Sequence, residues 1–109
     1  MQIQEEFSLE SILSILTGRK FVNDFNEIYE LYWFMFEDPF INATGICYLK
    51  DKASKHILNI HPELKNVSFK NGTDVNKWLD EQRQKFGNTL LISIVGEPII
   101  VTEKQPMLR

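Results

Sequence analysis

Cysteine and histidine are the side chains best suited to thiolate attack, imidazole proton transfer and soft-metal ligation, and the chain has three of them: Cys47, His56 and His61. A zinc-type site needs several such ligands converging at fixed spacing. The two histidines stand five residues apart, which is roughly 140° around a helix, so they do not share a face. Cys47 has no second cysteine to join it. As a Cys–His nucleophile pair the residues fail on distance, because nine residues of helix place Cys47 about 13 Å from His56 along the axis. That exceeds the reach of a hydrogen bond able to pass a proton, and Cys47 reads instead as a small buried hydrophobe. Acid–base work would fall to the carboxylate pairs Glu27/Glu30, Glu37-Asp38 and Asp80-Glu81. Catalytic pairs have their proton affinities driven apart by burial, whereas these sit at turn and solvent positions. The five glycines are scattered as helix punctuation rather than gathered into a phosphate loop. The cations of Leu16-Thr17-Gly18-Arg19-Lys20 would suit an anion, yet the segment falls at a helix C-terminus, whose dipole repels one. These residues predict no catalytic residue, no metal site and no cofactor, hence a non-enzymatic protein.

The elements that would position these groups follow from hydrophobic period. Ser8 is a fitting N-cap for a helix over 8–17 carrying Leu9, Ile12, Leu13 and Leu16, with Gly18 as the left-handed residue that closes it. Residues 1–7 form a lead-in with strand character. A second helix over 24–36 holds Phe25, Ile28, Tyr29, Tyr32, Met35 and Phe36 on one stripe, with Asn23 or Asp24 capping it and Asp38-Pro39 ending it. Leu31, Trp33 and Phe34 lie off that stripe, so its last turns are apolar nearly all round. This densest apolar run is expected to be the element around which the rest is organised. A third helix over 45–60, capped by Thr44, carries a core stripe of 46, 49, 53, 57 and 60, with Lys50, Lys52, Lys55 and His56 on the outer face. Val67-Ser68-Phe69 reads as a short edge strand. Thr73 caps a fourth helix over 74–86 that closes on Gly87. The period then changes from helical to β-branched: 89–95 and 98–102 predict a C-terminal β-hairpin turning at Gly96-Glu97. The fold class is α+β, about four helices with that hairpin, in a single small globular domain over 1–109.

Charge is divided along the chain. Residues 1–45 carry eight acidic and two basic side chains, net −6, while 46–109 carry seven and ten, net +3. A lone cysteine fits a reducing compartment. The first ten residues are acidic where an export signal would be basic, and no apolar run approaches the ~20 residues that cross a bilayer. The expectation is a cytoplasmic protein with no membrane partner.

Four pieces in this order carry a resemblance. They are Leu16-Thr17-Gly18-Arg19, Asp24-Phe25 through Tyr29, His61-Pro62-Glu63-Leu64, and Trp78-Leu79 through Phe86-Gly87. Together, over about residues 7–95, the chain resembles a family of small phage and prophage proteins. That family has no settled activity, so the resemblance implies an origin and not residue roles: a phage accessory product acting in the cytoplasm of a host bacterium.

The expected function is therefore binding of a host protein, in the manner of an inhibitor of a defence or metabolic factor. The expected contact is the aromatic and acidic stretch Trp33, Phe36, Glu37, Asp38 and Phe40, since aromatics ringed by acids suit a binding hot spot. The competing expectation is that the rings there are core. A homodimer through the aromatic helix would also occupy them. A nucleic-acid-binding regulator is the alternative from another class, with Lys50, Lys52, Lys55 and Arg83 as its phosphate-contacting face. A pI near 5.3 and the absence of any recognition module disfavour it.

Overall fold

The computed structural model describes residues 4–95 of the chain. The order of elements is β1 (Gln4–Ser8), α1 (Leu9–Thr17), α2 (Asn26–Phe36), α3 (Ala43–Ile60), a 3-10 turn at Pro62–Leu64, α4 (Val75–Phe86) and β2 (Thr89–Ser93). The architecture is α+β, four helices with a two-stranded antiparallel sheet. β2 pairs with β1, in register from Ser8 opposite Thr89 to Gln4 opposite Ser93. The second strand expected at 98–102, and with it the hairpin, lies outside the described residues.

The organising element is α1, which corrects the expectation placed on Asn23–Phe36. Leu9 and every residue from Ser11 to Ile15 are buried. The helix faces two cores because its apolar residues fall on two sides. Ile12 and Ile15 join Ile28, Leu31, Tyr32 and Met35 of α2, Ala53 and Ile57 of α3, and Ile92 of β2 in the larger cluster. Leu9 and Leu13 meet Trp78 and Leu79 of α4 in the smaller one. Sequestering a side chain of this size contributes about 2 kcal/mol before the entropy of ordering is set against it. Serines make an all-round buried helix tolerable, since they are small and find partners. Ser14 Oγ donates to Glu10 O at 2.7 Å and accepts from Phe21 N at 2.9 Å. Ser11 Oγ lies 2.9 Å from Ser8 Oγ.

The caps explain where helices begin and end. Ser8 Oγ accepts from Ser11 N, and Gly18 closes α1 at φ +78°, a left-handed conformation that favours glycine. α2 starts two residues later than predicted, with Asp24 Oδ1 accepting from Asn26 N at 2.9 Å. α3 starts earlier: its cap is Asn42, whose Oδ1 accepts from Gly45 N at 3.0 Å, and Thr44 lies inside the helix. α4 is capped by Asp74 rather than Thr73. Val67–Phe69 is irregular rather than a strand. Its backbone is used differently, with Ser68 O accepting from Trp78 Nε1 at 3.1 Å.

Candidate functional site

The expected contact stretch forms the corner between α2 and α3. α2 stops at Phe36 because Glu37 turns into the left-handed region at φ +55°, the sole non-glycine residue among those described to do so. From there Asp38 N donates back to Trp33 O at 3.1 Å, and Asp38 Oδ1 accepts from Phe40 N at 2.9 Å. Trp33 Nε1 donates across the corner to Ile41 O, also at 2.9 Å, and Ile41 itself is buried. The loop is thereby fixed on either side of Phe40, whose ring is 87 % exposed. Glu37 and Asp38 are exposed and have no cationic side chain within 4 Å among the described residues.

Structure divides the five expected contact residues into two groups. Phe40, Glu37 and Asp38 face solvent. Trp33 and Phe36 are half-buried and packed against the larger core. Phe36 stacks on Tyr32 at 6.0 Å, and Trp33 continues a ladder along α2 through Tyr29 to the exposed Phe25, with ring centroids 5.7 and 5.2 Å apart. Trp33 thus serves the corner as a brace, by its indole N–H and its ring.

Lys50, Lys52 and Lys55 are exposed on α3. Arg83 is not available in the same way, because its guanidinium is shared between Glu10 of α1 and Asp80 one turn back on α4. Those bonds, Glu10 foremost, push its already high pKa higher. The structure does not bring Arg83 together with the three lysines as one free cationic face.

The cysteine and the histidines behave unlike their sequence reading. Cys47 is exposed, not buried. The two histidines, which do not share a helical face, converge on one strand because His61 lies just beyond the end of α3. His56 Nε2 donates to Ser93 O at 2.7 Å and His61 Nε2 to Leu91 O at 2.6 Å. Val95 N then donates to Met35 O at 2.7 Å. Among the described residues, carbonyls on the outer edge of β2 are therefore taken up by histidine side chains rather than a third strand, and the chain just beyond it is tied to the end of α2. No group of three or more His, Cys, Asp or Glu residues able to hold a metal occurs among the described residues, and none of their helices is long and apolar enough to cross a membrane.

The surface also holds two clefts. One, of about 410 Å³ and mainly polar, runs between α4 and residues 63–68. The other, of about 190 Å³ and mainly apolar, lies at the end of α1 where α2 and α3 pass it. Sequence reasoning did not find this second cleft; its one legible sign was the pair of cations after Gly18. No family model, no curated protein and no solved structure matches the chain.

Proposed function

We propose that the protein acts by binding another protein rather than by catalysis, with the α2–α3 corner as its contact. Phe40 carries this reading: a phenyl ring 87 % exposed on a loop that is already ordered by Trp33 and Asp38. An apolar ring held in place can enter a partner's pocket without the usual entropy of fixing a loop, which is how a few aromatic anchors come to dominate an interface. The carboxylates of Glu37 and Asp38 beside it, which have no cationic partner among the described residues, favour a basic rim on that partner. Joined to the resemblance to phage and prophage proteins, the reading names a host bacterial protein as the partner, with inhibition of a defence or metabolic factor as the consequence.

The test is affinity capture from bacterial lysate with the wild-type chain, followed by binding measurements on the captured protein. Phe40→Ala should weaken binding about thirtyfold, equivalent to ~2 kcal/mol at a hot-spot aromatic, and leave the thermal midpoint unchanged. Undiminished affinity in that folded variant removes the corner as the contact.

A further inference from the structure

The 190 Å³ cleft uses none of the corner residues and has a chemistry of its own. Its walls are Ile15 of α1, Phe25 just before α2, Ile28 of α2 and Ile46 of α3. A space of roughly 150 Å³ is enough for a benzene-sized ring in a protein interior, so this one admits a single aromatic ring with a short substituent.

Its mouth is cationic. Arg19 and Lys20, the two basic residues of an otherwise acidic first 45, both border it, and Lys50 reaches it from α3. None of the three has a carboxylate within 4 Å among the described residues. Arg19 is engaged by neutral groups, the Asn71 side chain and the face of the Phe69 ring, so its charge is not cancelled. A Cβ added to Gly18 would stand 3.1 Å from Lys50 Nζ, which shows how closely that ammonium lies over the end of α1. The end of a helix carries about half a negative charge. Three whole positive charges exceed it, which reverses the repulsion expected of this segment from sequence.

Tyr32, which is 1 % exposed, also borders the cleft. Its hydroxyl has no hydrogen-bond partner among the described residues. A buried hydroxyl is ordinarily paired, because leaving it unpaired costs about 1–3 kcal/mol. Apolar walls, a cationic mouth and an unpaired buried hydroxyl are what a ligand with an aromatic body and an anionic end would complete.

We infer that this cleft binds a small aromatic carboxylate, its ring between Ile15, Ile28 and Ile46 and its anionic end at Lys20 and Lys50. A ring bearing a hydroxyl para to the acid-bearing arm would also reach Tyr32.

Three probes resolve the parts when titrated into the full chain and followed by methyl and amide NMR: 4-hydroxyphenylacetate, phenylacetate and 4-hydroxyphenylacetamide. The expected result is saturable shifts at Ile15, Ile28 and Ile46, with the acid bound at least tenfold more tightly than its amide. Lys50→Gln should reduce that preference several-fold. Tyr32→Phe should abolish the advantage of 4-hydroxyphenylacetate over phenylacetate while leaving the binding of phenylacetate unchanged, a pattern that a merely structural tyrosine would not give. Absence of saturable shifts at the three isoleucines, or equal binding of acid and amide, overturns the inference. An acid preference untouched by Lys50→Gln overturns the placement of the anion.

Discussion

Glu37 offers the sharpest check on the corner, because a residue proposed to serve binding sits there at a cost to folding. Its φ of +55° is left-handed, which for a residue with a Cβ is unfavourable by about 1–2 kcal/mol. Its carboxylate also stands at the negative end of α2, a further few tenths of a kcal/mol or so. Glycine relieves both, at the expense of about 0.5–1 kcal/mol of extra freedom in the unfolded chain. The balance predicts that Glu37→Gly stabilises the protein by about 1 kcal/mol, or about 4 °C in thermal midpoint for a domain of this size. Glu37→Ala is the internal control, since it removes the charge and keeps the Cβ. Urea denaturation of the wild type and both variants separates the terms. Glycine should raise the midpoint concentration clearly above that of alanine, with the slope unchanged. Equal midpoints for the two variants would refute the backbone argument, and a glycine variant weaker than the wild type would refute the assignment of this turn. In binding assays the glycine variant should hold its partner less tightly despite its greater stability.

Three other outcomes follow from the same structure. Trp33→Phe preserves a ring in the α2 ladder but leaves Ile41 O without its donor, so stability should fall by about 1 kcal/mol in denaturant titration. His56→Phe keeps the volume near β2 but leaves Ser93 O unpaired at a residue 2 % exposed, so a loss of about 1–2 kcal/mol is expected, with faster hydrogen exchange in β2. Burial, with a smaller contribution from Cys47, pushes the Tyr32 hydroxyl up to about 12. The folded chain therefore keeps that proton at pH values where the unfolded chain, titrating near 10, has released it. Stability should then decline as pH rises from 10 to 12, by about 2 kcal/mol from this group. In Tyr32→Phe the decline should be shallower by that amount.

Helix positions and the α+β class were legible because period and punctuation agree: apolar residues recur at helical spacing, and Ser8, Gly18 and Gly87 stand where ends occur. Cap identity was not, since Asn42 and Thr44, or Thr73 and Asp74, offer the same side-chain acceptor and packing chooses between them. The phase of the α3 stripe already excluded Cys47, and the general tendency of cysteine to be buried misled. His56 and His61 could not be assigned from spacing, because their acceptors are carbonyls of a strand thirty and more residues away. In the candidate site, Glu37, Asp38 and Phe40 were readable as a loop around Pro39. That Trp33 braces it depended on Ile41 O coming within reach. The cleft at α1 was half visible, in Arg19 and Lys20; the third cation arrives only when α3 crosses the helix.

The pairing of Gln4–Ser8 with Thr89–Ser93 also bears on the order of assembly. Local helices can form from their own residues, but this ladder must bring together segments more than eighty residues apart. Such a long closure is slow to nucleate, so during refolding β1 keeps an unpaired edge until the helices between the two strands have been gathered. A truncation that removes Thr89–Ser93 would leave a helical chain whose β1 lacks the strand it pairs with here.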